Sequence, residues 1–129
     1  MARLGEKELF LLDMDGTIYL DRDLFPWTIP FLEAVKAQGC KYRFLTNNSS
    51  KSGQDYIGKL AGMGIQAERA EFVTSVDALI ADLLSRPPYR RCYVFGTKSF
   101  QSQLRGAGIS VTDKREEDVD CLLIGFDTG

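Results

Sequence analysis

The chain has 129 residues, of which 44% are hydrophobic and 26% are charged, an ordinary composition for a globular protein. That length can bury one hydrophobic core, or one complete core and part of a second. The formal net charge of −2 offers no basic surface to nucleic acid. We therefore expect no nucleic-acid partner. No apolar run reaches the roughly 18–20 residues of a membrane span, so we expect no membrane partner either.

The chain contains no histidine and three cysteines. Without histidine, Ser-His-Asp and Cys-His nucleophile pairs are excluded, and catalysis would depend on carboxylates, lysines, hydroxyls, amides or a metal ion. Cys40, Cys92 and Cys121 lie far apart and form no Cys-x-x-Cys pair, so we expect reduced thiols in a cytoplasmic protein. The polar N-terminus, which lacks the apolar centre of a signal peptide, favours the same location.

Strand and helix patterns alternate along the chain. The predicted strands are 8–14, 41–47, 71–74, 93–96 and 121–125. Helical patterns begin near Thr28, Ser52, Ser75 and Phe100, with Thr28 and Ser75 as predicted capping residues. A charged loop is predicted over 113–120. This alternation predicts an α/β fold with a mostly parallel sheet. The unbroken apolar run in the first strand predicts that this strand is buried on both faces.

Two aspartates follow the first apolar strand. Asp13 and Asp15 are spaced i, i+2, so they lie on the same side of the chain, and Gly16 allows a sharp turn directly after them. Adjacent carboxylates repel each other unless a proton or cation lies between them. The stretch therefore predicts a divalent-metal site at the carboxyl edge of a sheet, where ligands of α/β folds bind. A solvated turn is the alternative interpretation.

Small polar residues end the second strand in the same way. Thr46 and Asn47 offer a hydroxyl and a backbone amide that can hold phosphate oxygens. Because neighbouring parallel strands end at the same edge of a sheet, we expect these residues near Asp13. An ordinary polar loop is the alternative interpretation.

The segment Asp13-Met14-Asp15-Gly16-Thr17 resembles the first motif of the haloacid dehalogenase superfamily, and Thr46-Asn47-Asn48-Ser49 is similar to the second. Further segments, in the same order up to Asp127, resemble its NagD-type, p-nitrophenylphosphatase-like branch. The resemblance implies a Mg²⁺-dependent phosphohydrolase of small phosphorylated metabolites that forms an aspartyl-phosphate. It implies that Asp13 is the nucleophile and a metal ligand, and that Asp15 is the acid/base and holds the metal through its backbone carbonyl. Thr46 and Asn47 would bind the phosphoryl group.

The resemblance also implies a Rossmann-like core with a parallel sheet, followed by the first part of an α/β cap domain. Because Pro87-Pro88 interrupts the helical pattern, we expect the core over 1–86 and the partial cap over 87–129. The lysine and the second acidic loop that the family uses are not found in this sequence. We therefore expect the N-terminal half of such a phosphatase, with weak Mg²⁺ binding, little or no turnover and self-association through exposed edges.

Two other functions fit parts of the pattern. A non-catalytic phosphate- or metal-binding module of the same fold would need no lysine and no second acidic loop. A receiver-like signalling domain also uses an acidic pair after its first strand, but its phospho-accepting aspartate should follow the third strand. Val73-Thr74-Ser75 offers no such residue there, so the receiver interpretation is the weaker of the two.

Overall fold

A computed structural model of the chain describes residues 6–127 and divides them into two compact units. The first unit contains residues 6–46 and 53–73, and the second contains 47–52 and 74–127. This division falls near residue 73, within the segment that we assigned to the core domain. The assignment of a core over 1–86 and a cap over 87–129 stays a prediction.

The first unit is built from strands, short helices and one hairpin. Its elements are β1 (Leu9–Asp13), β2 (Tyr19–Leu20), β3 (Asp23–Leu24), α1 (Thr28–Ala37), β4 (Lys41–Thr46), α2 (Gly53–Gly62), a 3-10 turn (Arg69–Glu71) and β5 (Phe72–Thr74), whose last residue is grouped with the second unit. The sheet has the order β1-β4-β5, and β1 and β4 are parallel. The α/β class predicted from the sequence is thereby confirmed.

Aromatic and aliphatic side chains form the core of this unit. Phe44, in the central strand β4, is fully buried, and its ring centroid lies 5.1 Å from that of Tyr42 and 5.3 Å from that of Phe72. Tyr56 and Leu60 are one helical turn apart on α2, and both are buried in the same cluster. The helix is therefore held by one apolar face.

The prediction that β1 is buried on both faces is wrong for the described structure. Phe10 and Leu12 pack against the core, whereas Leu9 and Leu11, on the opposite face, are 50% and 59% exposed. The strand lies at the edge of its sheet and alternates between a packed and an open face. An unbroken apolar run therefore does not by itself distinguish a strand covered on both faces from one with an exposed apolar face.

Thr28 does not cap α1 as predicted. The N-cap is Trp27, with no side-chain capping bond, and the buried Thr28 hydroxyl donates to the carbonyl of Ile18 at 2.6 Å. The residue thus ties the start of α1 to the loop after β1. The hairpin formed by β2 and β3 was not predicted, because two-residue strands leave little periodicity in a sequence.

The second unit has its own sheet and core. Its elements are α3 (Ser75–Ser85), β6 (Cys92–Phe95), α4 (Lys98–Gly106), β7 (Val111–Thr112) and β8 (Cys121–Ile124). The strands have the order β7-β6-β8, and both pairs are parallel. The core contains Phe100 and Leu104 from α4 and Val76 and Leu83 from α3.

Helix α3 begins one residue earlier than its predicted cap suggests. Thr74, not Ser75, is the N-cap: its hydroxyl accepts from the Asp77 amide at 3.1 Å, and the Asp77 carboxylate accepts from the Thr74 amide at 2.9 Å. Over residues 6–127, no helix is long and apolar enough to cross a membrane.

Candidate phosphoryl-transfer site

The two predicted motifs meet at one edge of the first sheet. Asp13 is the last residue of β1 and pairs with Leu45 of the parallel strand β4, and Thr46 follows as the last residue of β4. The Asp13 carboxylate is exposed and Thr46 is half-buried. Since parallel strands end at the same side of a sheet, Asp13 and Thr46 lie at the same edge of this sheet.

Backbone hydrogen bonds to the Met14 carbonyl hold the loop after β1. The Met14 carbonyl accepts from the amides of Thr17 and Ile18 at 3.1 and 2.8 Å, and Gly16 adopts a φ of +81°, which favours glycine. Met14 and Ile18 are buried, whereas Asp13 and Asp15 are exposed. The buried residues of the loop thus hold its backbone in place, while the two carboxylates face solvent.

Two buried tyrosines lie behind these carboxylates. Tyr19 is 2% exposed, and burial, followed by the negative charge of Tyr56, Asp15 and Asp13, raises its pKa to about 12. Tyr56 is 4% exposed, and its hydroxyl lies 3.4 Å from the Thr46 Oγ1. Burial also raises the pKa of Tyr56, and nearby Asp15 adds to the effect, so both phenols stay protonated at neutral pH.

Lys59, which lies on α2 like Tyr56, contacts Tyr19. Its Nζ lies 3.8 Å from the centroid of the Tyr19 ring, a cation–π arrangement. Tyr56 and Lys59 are spaced i, i+3, so one face of α2 presents both of them to the loop after β1 and the end of β4. These residues were not predicted from the sequence, because a tyrosine one turn before Leu60 fits the pattern of core packing.

Stability should depend on pH through Tyr19. The folded protein holds the phenol proton more tightly than the unfolded chain, because the pKa is raised from 10 to about 12. The stabilisation is fully present below pH 10 and is lost as the pH rises towards 12. The free energy of unfolding should fall by about 2–3 kcal/mol over this range because of Tyr19. Urea unfolding followed between pH 9 and about pH 11.5 should show a smaller decline in Tyr19→Phe than in wild type. An equal decline in both proteins would contradict the assignment.

Asn47, the fourth predicted site residue, belongs to the second unit. Its side chain is exposed, and its carbonyl accepts from the Ser75 hydroxyl at 3.0 Å. Within that unit Asn47, Ser49 and Ser75 line a cleft of about 320 Å³ whose other walls are mostly apolar, including Phe100 and Phe126. Asp13, Asp15 and Thr46 lie in the first unit.

The donors at the acidic edge fit Mg²⁺, which prefers hard oxygen ligands. Within residues 6–127 no cluster of three or more His, Cys, Asp or Glu side chains could enclose a metal ion. Mg²⁺ is often held by one or two carboxylates together with waters and substrate phosphate, rather than by a cage of protein ligands. The Asp13 carboxylate and the Asp15 backbone carbonyl would suit such an open site, with waters and substrate phosphate as the other ligands.

The chain is similar to proteins of one family of hydrolases. A family model described as haloacid dehalogenase-like hydrolase matches residues 10–110. An acid sugar phosphatase from Staphylococcus aureus is 31% identical over 124 residues, which are 96% of this chain and 47% of that protein.

Solved structures give the same result. A 4-nitrophenylphosphatase from Thermotoga maritima has a TM-score of 0.87 and 37% identity, over 95% of this chain and 46% of that one. NagD from Escherichia coli has a TM-score of 0.80 and 28% identity, over 93% of this chain and 46% of that one. The chain spans about half the length of the relatives it matches. The family match covers most of its residues, and the chain belongs to the haloacid dehalogenase-like hydrolase family.

Proposed function

We propose that this chain carries the nucleophile, the acid/base and part of the phosphate cradle of a Mg²⁺-dependent phosphohydrolase. The observation that supports the proposal is the parallel pairing of Asp13 with Leu45, which puts Asp13 and Thr46 at the same edge of the sheet. The names of the relatives, acid sugar phosphatase and 4-nitrophenylphosphatase, support phosphoric monoesters as substrates. The proposed substrates are small phosphorylated metabolites of the cytoplasm.

The proposed reaction has two displacements. In the first, a carboxylate oxygen of Asp13 attacks phosphorus, the bond to the leaving oxygen breaks, and protonated Asp15 donates its proton to that oxygen. In the second, Asp15 takes a proton from water, the water oxygen attacks phosphorus, and the bond to Asp13 breaks to release inorganic phosphate. The exposure of both carboxylates allows substrate and water to reach them.

The neighbouring groups would stabilise the phosphoryl group. The Thr46 hydroxyl donates to a phosphoryl oxygen, and the Asn47 amide donates to another. Asp13 and Asp15 would hold Mg²⁺, which would supply positive charge to offset the repulsion between a carboxylate and a phosphate dianion. The lysine and second acidic loop implied by the resemblance are not in this sequence, so we propose slow turnover for the 129-residue chain.

The test is release of p-nitrophenolate from p-nitrophenyl phosphate with and without Mg²⁺. We expect slow, Mg²⁺-dependent release by the wild type and release at the rate of buffer alone by Asp13→Asn. Asp118→Asn, which makes the same charge change in an exposed loop of the second unit, is the matched control and should keep the wild-type rate. Release that survives Asp13→Asn would exclude Asp13 as the nucleophile. No release from either protein would favour the non-catalytic binding module.

A further inference from the structure

We propose that Cys92 and Cys121 form a reversible disulfide, so that oxidation links strands β6 and β8 of the second unit. The proposal does not depend on the proposed phosphohydrolase activity, which uses neither thiol. In the described structure both cysteines are free. The bond is therefore a response to an oxidant, and the oxidant that we propose is hydrogen peroxide.

The first support is the register of the two strands. β6 and β8 are parallel, and Cys92 pairs directly with Cys121. Paired residues of neighbouring parallel strands place their side chains on the same face of the sheet, with Cα atoms about 4.8 Å apart. That separation lies within the range of about 4.4–6.8 Å that disulfides span. The two sulfur atoms can therefore be joined without a change of register.

The second support is the contact between the thiols and their unequal burial. Cys92 is 1% exposed and Cys121 is half-buried, and both pack in the core of the second unit. Burial, followed by the charge of Cys121 and a hydrogen bond with it, raises the pKa of Cys92 to about 11. Cys92 is thus a protected thiol in contact with Cys121, and a small oxidant reaches Cys121 first.

The proposed oxidation has two steps. The Cys121 sulfur, as its thiolate, attacks one oxygen of hydrogen peroxide, the O–O bond breaks, and the leaving hydroxide takes a proton to become water. The Cys92 sulfur then attacks the sulfur of the Cys121 sulfenic acid. The S–O bond breaks, and the Cys92 proton leaves with the hydroxyl group as a second water. The pair of thiols loses two electrons, and the peroxide gains them.

The same geometry favours reversal of the bond. Side chains of paired parallel residues keep their Cβ atoms about as far apart as the strands, slightly more than the roughly 3.5–4.5 Å of an ordinary disulfide. Closing the bond would draw the strands together, and a strained disulfide is reduced more easily. A thiol such as glutathione would therefore attack one sulfur to give a mixed disulfide, and a second glutathione would release the reduced cysteines.

The bond would restrain the strand that forms one wall of the cleft in the second unit. Within residues 6–127, β8 is an edge strand and pairs with β6 alone. Ile124, the last residue of β8, and Phe126 line the cleft. A covalent link at the start of an edge strand raises the free energy of opening it locally. Oxidation would thus reduce the mobility of this wall.

The test is oxidation of the folded wild-type chain with hydrogen peroxide, followed by peptide mapping. Remaining thiols are blocked with N-ethylmaleimide in acid, and the chain is digested with trypsin without reductant. The three cysteines fall in separate tryptic peptides, 37–41, 92–98 and 116–129. We expect peptides 92–98 and 116–129 to be linked in monomeric protein, and the link to disappear on incubation with glutathione. Amide hydrogens of β8 should exchange about 10-fold or more slowly in the oxidised chain.

Two variants and one condition serve as controls. Cys40→Ser removes the thiol of the first unit and should leave the linked peptides and the slower exchange of β8 unchanged. Cys121→Ser should show neither the link nor a change of exchange after peroxide. Oxidation of the wild type in urea should give mixed cysteine pairings, because the preference for one pair depends on the folded register.

Three results would overturn the proposal. The first is a folded wild type in which peptides 92–98 and 116–129 keep free thiols after peroxide, and the second is a link that glutathione does not open. The third is unchanged exchange of the β8 amides in the linked protein. All three are measured on the wild type, so the proposal is tested even if Cys121→Ser does not fold.

Discussion

Asp13→Asn should abolish formation of a beryllofluoride complex that the wild-type chain forms in the presence of Mg²⁺. Beryllofluoride imitates a phosphoryl group by bonding to one carboxylate oxygen, so the complex requires the ionised side chain that we assign as nucleophile. An asparagine amide offers no anionic oxygen, and we therefore expect complete loss rather than a weaker complex. The measurement is ¹⁹F NMR, in which bound fluorides are separated from free beryllofluoride. Because the complex forms without turnover, the result does not depend on how fast the chain hydrolyses a substrate.

Asp15→Asn is the informative control for this experiment. It removes the acid/base group but keeps the backbone carbonyl and the loop anchored on Met14, whose carbonyl accepts from Thr17 and Ile18. Since capture of beryllofluoride involves no proton transfer, Asp15→Asn should retain the bound signals. A complex that persists in Asp13→Asn would remove Asp13 from the nucleophile position. If the bound signals were lost in Asp15→Asn but not in Asp13→Asn, Asp15 would be the nucleophile and Asp13 the acid/base.

The strands that carry the site were predictable because β1 is an apolar run that ends in a carboxylate and β4 ends in small polar residues. Asp13 and Thr46 were expected at one sheet edge from the strand–helix–strand order alone, and the parallel register of β1 and β4 agrees with that expectation. The site roles of Asp13, Asp15, Thr46 and Asn47 remain predictions, since the geometry brings three of them into one unit without testing their chemistry.

Other features could not be read from local patterns. Whether Leu9 and Leu11 are covered depends on which elements pack on the outer face of β1, and residue type does not reveal this. Tyr56 was hidden because a buried tyrosine and a buried leucine give the same helical periodicity, and only the fold shows that its hydroxyl meets Thr46. The cap at Thr74 rather than Ser75 shows the one- or two-residue uncertainty of helix ends, where neighbouring hydroxyl residues are equally good candidates.

The support of the site also determines the largest effect that we expect on stability. Phe44 is fully buried in β4, two residues before Thr46, and lies between the rings of Tyr42 and Phe72. Phe44→Ala removes these contacts and leaves a cavity that the rigid strands can only partly close, which should cost about 3–5 kcal/mol. Small domains are stable by only about 5–15 kcal/mol, so the variant would lose a large part of its margin.

The chain offers a selective probe and a matched control for this change. Trp27 is the only tryptophan and lies in the first unit, where it stacks on Phe25 with centroids 4.9 Å apart, so its fluorescence during urea unfolding reports on that unit. Phe95→Ala makes the same substitution at a ring that is 57% exposed in the second unit and should leave the Trp27 transition within about 0.5 kcal/mol of wild type. A Phe44→Ala transition at the wild-type midpoint would show that the β4 core does not hold this unit together. It would also weaken the case that β4 is a rigid support for Thr46, because the strand would then tolerate a void beside its carboxyl end.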